Sequence, residues 1–449
     1  MLEKVFEKII FIFKKIIPAR WHRILEHAGF KRYFVNTGWM FFGQIFSMGI
    51  SFFIGAWLAR YLGPKNYGII NYSFAFVGIF SFIANLGIGT ILSRDLVKYP
   101  EKRDELLGTS FRLLLYGGVA AFTLVVISAL VFESSYFIRS LIILYSSTYL
   151  WSAFAVIQTF FQSTVQAKKN VRISMAGAAT SSILKILLIV SGKGIVWLML
   201  IFVFESLFVS VLSLITYKSS GYKLSAWRFN AGLAKDILSG SWLLMLGAAA
   251  SFLFVRVDQV MVKFFLGEVS VGLYAAAVRL VEVWYFVPGI ICGSLLPAVI
   301  NAKKVDEKKY HERLKKLYIL LASVAVLIAV PSTILAPWVI NLLFGDAYSE
   351  AAGILRIYVW SGVGLFLLWG LQQYFLSENR LKIIFYLYLF SMLANIILNL
   401  FFIPKFGLTG AAWATLISYS IGPIICFFMM NAESILSYLK INISFKKLD

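Results

Sequence analysis

The sequence is poor in the residues that disulfide-stapled domains, metal sites and soluble surfaces need. Its 449 residues include only two cysteines and three histidines, and charged residues make up 14% of the chain. Cys292 and Cys426 both lie in apolar runs, so no disulfide framework is indicated. The histidines lie in basic segments without the spacing of metal ligands. Because so little charge cannot cover an ordinary soluble surface, a water-soluble globular protein is excluded.

Long apolar runs make up most of the chain instead. Hydrophobic residues account for 60% of it, and the mean hydropathy is +0.83. Twelve windows reach the roughly 20 residues that cross a bilayer core about 30 Å thick. They do not alternate with period two, so they predict an all-α polytopic membrane protein and not a barrel. The predicted spans are 34–58, 69–92, 110–132, 137–165, 171–191, 194–217, 237–265, 269–299, 317–340, 351–376, 381–403 and 408–430.

Acidic residues are scarce, with 21 Asp and Glu against 42 Lys and Arg. Of the basic residues, 29 lie in the two tails and in the loops that follow the even-numbered helices, and four lie in the alternate loops. This asymmetry follows the positive-inside rule and predicts that both termini are cytoplasmic. Nucleic-acid binding needs one concentrated basic face, so we do not expect nucleic acid as a partner.

A weak internal repeat divides the predicted helices into two sets of six. YLGPKNYGII at 61–70 matches FLGEVSVGLY at 265–274 with an offset of 204 residues. Near the far end of each half, GIVW at 194–197 matches GAAW at 410–413. An offset of six helices preserves the direction of each helix, so the halves are predicted to be parallel repeats related by an axis along the membrane normal.

The repeat and the charge pattern together predict five segments. An amphipathic helix on the cytoplasmic leaflet suits the basic N-terminal tail. The segments are that tail at 1–33, a six-helix lobe at 34–217, a cytoplasmic linker at 218–236, a second six-helix lobe at 237–430 and a cytoplasmic tail at 431–449.

Four stretches carry a resemblance to a known family. They are ARYLGPKNYGIINYSFAF at 59–76, FIANLGIGTILSRDLVKY at 82–99, RVDQVMVKFFLGEVSVGLYAAAVRL at 256–280 and FGLTGAAWATLIS at 406–418. In this order on twelve helices they resemble the polysaccharide flippases (Wzx type) of the multidrug/oligosaccharidyl-lipid/polysaccharide exporter superfamily.

The resemblance implies a fold and a substrate. It implies two six-helix lobes in a V shape and transport by alternating access. The implied substrate is an oligosaccharide linked to undecaprenyl or a related polyprenyl diphosphate, carried to the outer leaflet of the cell membrane for surface polysaccharides such as O-antigen. Membrane lipids and polysaccharide assembly proteins are the implied partners.

The apolar run FLFVRVDQVMVKFF contains charges, which at membrane depth usually face a protein interior or a water-filled cavity. Arg256, Gln259 and Lys263 share one helical face, which we expect to line the cleft between the lobes. Asp258 points to nearly the opposite side, so we expect it to face a neighbouring helix and to hold Arg256 or Arg279. The alternative is an interhelical salt bridge with a lysine that reaches the outer surface.

Two further pairs of charges lie inside predicted spans. Arg279 and Glu282 have i, i+3 spacing and are expected to pair on one face, either as a structural pair or as a site where phosphate or a proton competes for Arg279. Lys185 and Glu205 lie on adjacent helices, which suggests a buried pair or a proton or ion coupling site.

The remaining candidates lie near helix ends or are uncharged. Arg60 and Arg356 could meet the substrate or simply reach the interface, and the Asn85 amide could meet sugar hydroxyls or serve helix packing. The predicted substrate-binding residues are therefore Arg256, Gln259, Arg279, Arg60, Arg356 and Asn85, and the predicted coupling or structural ion-pair residues are Asp258, Glu282, Lys185 and Glu205.

Other functions fit less well. A drug or metabolite antiporter of the same superfamily would favour an apolar or acidic pocket rather than arginines inside the membrane. A membrane glycan polymerase or ligase needs a large outer catalytic loop, and the longest predicted outer loop is about ten residues at 341–350. A purely structural scaffold leaves the charges inside the spans unexplained. We expect a transporter without a cofactor, and the sequence leaves H⁺ or Na⁺ coupling open.

The predicted topology can be tested by cysteine labelling. Cysteines introduced at positions 65 and 268 occupy matching outer loops of the two repeats. Both are expected to react with a membrane-impermeant maleimide added to intact cells. A failure of both positions to react from outside, in a protein that reaches the membrane, would overturn the topology.

Overall fold

A computed structural model of the protein describes residues 28–303, 306–377 and 380–438. These residues are helical almost throughout and contain no β-strand. A bilayer core offers no water to backbone N–H and C=O groups, and a helix satisfies them within one segment. The all-α prediction is confirmed. Most of the predicted N-terminal tail, 1–33, lies outside the described residues, as do the last residues of the C-terminal tail.

The N-terminal half consists of helices joined by short turns. The α-helices are α1 (Ala28–Gly78), α2 (Ser81–Asn85), α3 (Ile88–Lys98), α4 (Arg103–Phe132), α5 (Tyr136–Ser146), α6 (Ala155–Ser163), α7 (Ala167–Val190) and α8 (Ile195–Ser219). Single 3₁₀ segments lie at Pro100–Lys102, Ser147–Phe154 and Leu224–Ala226.

The C-terminal half has the same character with longer helices. They are α9 (Ala231–Glu282), α10 (Val287–Lys303), α11 (Glu307–Phe344), α12 (Ala351–Tyr358), α13 (Ser361–Ser377) and α14 (Leu381–Tyr438), with a 3₁₀ segment at Asp346–Tyr348.

Three of the helices each contain a sharp kink at one glycine. Gly63 in α1 has φ 70° and ψ 169°, Gly267 in α9 has φ 82° and ψ −177°, and Gly407 in α14 has φ 61° and ψ −139°. Glycine adopts a positive φ without the steric cost that a side chain would bring. Nine stretches of the described residues are long and apolar enough to cross a membrane. Division at the three kinks recovers the twelve predicted helices.

The second and fourth helices of each half are interrupted, although the sequence predicts continuous spans. The predicted span 69–92 is divided among α1, α2 and α3, and a break at 283–286 separates α9 from α10. The fourth helix of the first half is interrupted by the 3₁₀ segment Ser147–Phe154. The fourth helix of the second half is interrupted at 359–360, a similar position within the repeat. Interrupted helices at corresponding positions of two repeats are typical of binding sites in transporters.

The described residues form two compact units. One contains the residues up to Tyr61 and Phe76–Ala249, and the other contains Leu62–Ala75 and the residues from Ala250 onward. Helices α1 and α9 therefore each contribute to both units. The lobe boundaries at 217 and 237 stay a prediction. The core of the first unit includes Leu107, Ile157 and Phe161, and that of the second includes Phe254, Leu368 and Tyr419.

Within the second unit, the parts of α1 and α9 that follow their kinks cross at a pair of glycines. A β-carbon added at Gly68 would lie 1.8 Å from the carbonyl oxygen of Glu268, and one added at Gly272 would lie 1.9 Å from that of Pro64. Each glycine therefore contacts the residue four positions before the other glycine. Such a reciprocal contact is what a two-fold axis produces, and it supports the predicted parallel repeat.

The crossing predicts a strong effect of very small substitutions. Gly68→Ala and Gly272→Ala are each expected to lower the free energy of unfolding by about 1–3 kcal/mol, because the added carbon meets backbone that cannot rotate away. Gly49→Ala, where no atom lies within 4 Å, is the control and should be neutral or slightly stabilising. Thermal unfolding in detergent measures the difference. Equal melting temperatures for the three variants would contradict the close contact.

Candidate functional site

The kink in α9 folds the helix back on itself and brings Arg256 and Glu282 together. Nη2 of Arg256 lies 3.0 Å from both carboxylate oxygens and donates a hydrogen bond to Oε2. The two side chains are 31% and 16% exposed. The predicted pair of Glu282 with Arg279 is therefore wrong, because the kink places a guanidinium from the preceding segment against the carboxylate. Paired in this way, both charges can be tolerated inside a membrane helix.

A second guanidinium and a tyrosine hydroxyl lie in the same region of the second unit. Arg279 is half-buried on the part of α9 that follows the kink. Tyr67 is buried and close enough to Arg279, Glu282 and Arg256 to be affected by their charges. Guanidinium and hydroxyl donors are the groups that recognise phosphate oxygens, so this region has the donors that an anion site needs.

Asp258 lies at the centre of a buried hydrogen-bond network. It is 2% exposed. Its Oδ1 accepts from the backbone N–H of Gln259 at 2.8 Å, and its Oδ2 accepts from the hydroxyls of Tyr274 and Thr415. The Asn395 amide donates to the Thr415 hydroxyl at 3.4 Å and extends the network into α14 before its kink. A carboxylate without access to water needs such donors to remain buried.

Two expectations about this helix remain untested. Among the described residues both oxygens of Asp258 accept from donors other than arginine, although the charges of Asp258 and Arg256 act on each other, and the expectation that Asp258 holds Arg256 or Arg279 stays a prediction. Gln259 is 2% exposed, so its amide does not reach an open surface in this structure, and its contact with substrate stays a prediction. Thr415, which sequence reasoning missed, is a hydroxyl inside a predicted span whose partner lies far away along the chain.

The first unit contains the expected pair between α7 and α8. Nζ of Lys185 lies 3.3 Å from Oε2 of Glu205, and the hydroxyl of Ser181 donates to the same oxygen. The Lys185 ammonium also lies 4.1 Å from the centre of the Phe202 ring, a cation–π distance. The pairing is confirmed, and a role in ion coupling stays a prediction.

The remaining candidates do not join these clusters as ion pairs. Arg60, Asn85 and Arg356 are exposed, and their contact with substrate stays a prediction. The Lys263 ammonium lies 3.0 Å from the Glu268 carboxylate, and its place on a face that lines a cleft stays a prediction. It forms a second ion pair across the α9 kink.

The arrangement suits anion recognition better than metal chemistry. No group of three His, Cys, Asp or Glu side chains that could hold a metal ion occurs in the part of the chain that the structure describes. The charged groups of the second unit instead combine two arginines with carboxylates held by hydrogen bonds. Such a site can bind and release an anion, and it has no nucleophile paired with a base.

The network around Asp258 predicts a destabilising substitution. Tyr274→Phe removes the hydroxyl that donates to Oδ2, which leaves Thr415 at 3.4 Å as the remaining donor to this oxygen. The free energy of unfolding is expected to fall by about 1–3 kcal/mol. Tyr116→Phe, at a site that is 64% exposed, is the matched control and should change little. Thermal unfolding in detergent that fails to separate the two variants would contradict the network.

Comparison with known sequences places the chain in a family. The model of a family described as polysaccharide biosynthesis protein matches residues 34–303. The probable flippase AglR of Haloferax volcanii is 26% identical over 177 residues, 37% of this chain and 36% of the relative. The probable low-salt glycan biosynthesis flippase Agl15 of the same organism is 21% identical over 432 residues, 91% of this chain and 84% of the relative. The chain thus spans about a third of the first relative and most of the second.

Solved structures give the fold. An inward-facing multidrug resistance MATE family transporter of the MOP superfamily matches with a TM-score of 0.72 and 17% identity, over 89% of this chain and 96% of that one. The lipid II flippase MurJ, in an inward closed conformation, matches with a TM-score of 0.69 and 18% identity, over 88% and 87%. The two structures share the helical fold described above, and the family match covers more than half of the sequence. The chain is therefore a multi-pass membrane protein that belongs to the polysaccharide biosynthesis protein family.

Proposed function

We propose that this protein is a flippase that carries a polyprenyl-diphosphate-linked oligosaccharide from the cytoplasmic to the outer leaflet by alternating access. The observation that carries the proposal is the presence of Arg256 and Arg279 in one region of the second unit, on a helix that crosses the membrane. The family match and the flippases among the relatives support the same substrate class.

Arginine suits a lipid-linked diphosphate for a chemical reason. Its planar guanidinium offers two parallel N–H donors to phosphate oxygens and stays charged at any physiological pH. Ionisable residues within membrane helices are costly and usually mark a substrate or ion pathway. Arg256 and Arg279 are thus the proposed contacts of the diphosphate, with Gln259, Arg60, Arg356 and Asn85 as further candidates for the glycan or the path.

The membrane potential favours export of such a substrate. Moving one elementary charge across 100 mV is worth roughly 2.3 kcal/mol. A diphosphate with about two negative charges would therefore gain roughly 4–5 kcal/mol on moving outward across an inside-negative membrane.

Ion coupling is a separate part of the proposal. The carboxylate of Asp258 is the candidate for H⁺ or Na⁺ coupling, because it is buried and surrounded by the oxygen atoms of Tyr274 and Thr415. Hard cations bind oxygen ligands, and a proton would need only the carboxylate itself. The pair of Lys185 and Glu205 is the second candidate.

Two other functions are less well supported. A drug or metabolite antiporter would have the fold of the MATE neighbours. The match of this chain to a MATE transporter is at 17% identity, however, which shows a shared fold and not a shared function. A site that contains two guanidinium groups suits an anionic substrate better than a cationic drug. A glycan polymerase or ligase would need a nucleophile with a positioned base, so a transporter is the better assignment than an enzyme.

The proposed setting is the cytoplasmic membrane, with both termini in the cytoplasm as the distribution of Lys and Arg predicts. The substrate and the surrounding lipids are the proposed binding partners. Proteins that assemble surface polysaccharide on the outer side are the proposed functional partners, because they would consume the lipid-linked oligosaccharide after its transfer.

The arginines provide the direct test. Arg256→Ala and Arg279→Ala are each expected to reduce translocation of a labelled lipid-diphosphate oligosaccharide in liposomes by at least about tenfold, since a lost charge-assisted hydrogen bond costs about 1.5–3 kcal/mol. Arg94→Ala is the control, because the Arg94 side chain is 64% exposed and pairs with its neighbour Asp95.

All three variants must insert and fold, and Arg256→Ala is expected to melt at a lower temperature because it leaves the Glu282 carboxylate without its partner. Translocation by both alanine variants at the rate of the unmodified protein would remove these arginines from the mechanism. If Arg256→Ala abolishes translocation and Arg256→Lys retains it, translocation requires only a positive charge at this position and not the paired N–H donors of a guanidinium.

A further inference from the structure

We propose that Glu282 is an internal competitor of the substrate phosphate for Arg256, and that it takes up a proton when the phosphate displaces it. The inference rests on the proposed function. In this role Glu282 helps to release the substrate, because it takes Arg256 back from the phosphate.

The guanidinium of Arg256 is only partly engaged. An arginine has five N–H donors, and among the described residues the hydrogen bonding of Arg256 is limited to Nη2 and Glu282. Its side chain is 31% exposed, so part of it is open to an approaching ligand. A phosphate can therefore approach Arg256 while Glu282 is still bound.

Glu282 depends on Arg256 more than Arg256 depends on Glu282. Its side chain is 16% exposed, and its Oε1 is buried without a hydrogen-bond partner. Its single hydrogen bond among the described residues comes from Arg256. Once Arg256 turns to a phosphate, the carboxylate has lost its donor and has little access to water.

Among the described residues, Arg256 is the positively charged donor that contacts the Glu282 carboxylate, and no second one takes its place there. The groups that act on Glu282 electrostatically lie on several helical segments. They are Arg256 and Asp258 before the kink of α9, Tyr285 after it, Tyr67 on α1, and Tyr419 on α14. Arg279 lies in the same region, where its charge acts on Tyr67. Asp258 is itself an acid, and Arg279 is the other proposed phosphate contact.

A displaced Glu282 would therefore be an unpaired, mostly buried carboxylate beside Asp258 and a bound dianion. Both desolvation and like charge favour the neutral form of a carboxyl group. One proton from solvent adds to the carboxylate as the Arg256 hydrogen bond is lost. On release the proton leaves, Glu282 recovers Arg256, and the phosphate cannot readily rebind.

Titration calorimetry can test this on the full-length protein in detergent. Farnesyl diphosphate is the probe, used at pH 8 in two buffers with different ionisation enthalpies, so that the proton uptake on binding is measured directly. The unmodified protein is expected to take up about one proton per bound probe. Glu282→Gln is expected to take up none and to bind at least about tenfold more tightly, since the competing charged hydrogen bond is gone.

Glu268→Gln is the matched control. Glu268 pairs with Lys263 at 3.0 Å across the same kink, and its substitution should leave proton uptake and affinity unchanged. Glu282→Asp keeps the acid on a shorter side chain. It should retain the uptake and bind more tightly than the unmodified protein, and it carries the test if the glutamine variant does not fold.

The outcomes separate the two proposals. Binding by folded Glu282→Gln with unchanged affinity and unchanged proton uptake would overturn the role of Glu282 and leave the flippase proposal intact. No binding of the diphosphate to the folded, unmodified protein would instead overturn the proposed phosphate site at Arg256, and with it this inference.

Discussion

Charge compensation inside membrane-spanning helices is the constraint on which the second unit depends. Arg256 and Glu282 lie 26 positions apart on one continuous stretch of helical chain, and they meet because the chain reverses at Gly267. Without that reversal each charge would be unpaired at membrane depth, which costs several kcal/mol. The positive φ of one glycine therefore makes it possible to keep a paired arginine inside the membrane-spanning region.

The same kind of kink also relates the two halves of the chain. Gly63 and Gly267 have similar backbone angles, and the segments that follow them cross through reciprocal contacts at Gly68 and Gly272. Glycines at a crossing allow two backbones to approach closely, and dispersion contacts then stabilise the pair in a solvent that gives no hydrophobic driving force. The sequence repeat is thus visible as a repeated backbone geometry, even though few of the aligned side chains are identical.

Much of the fold could be predicted from sequence, and less of the site. Apolar length and loop charge gave the twelve helices, and the pairing of Lys185 with Glu205 followed from their places on adjacent helices. The partners of Asp258 and Glu282 could not be predicted, because helical spacing describes one straight helix whereas these contacts cross a kink or reach a distant helix. The helix breaks were also missed, since their residues are as apolar as the helices they interrupt.

The two acids of this region differ in a way that separates their roles. Asp258 is held on both oxygens by uncharged donors, a backbone N–H and two hydroxyls. An anion that binds an arginine does not compete for those donors. Among the described residues Glu282 has one donor, Arg256, which is also the proposed contact of the substrate phosphate. A carboxylate fixed by neutral donors can serve a cation or the fold, whereas one fixed by a guanidinium alone responds to every anion that arrives.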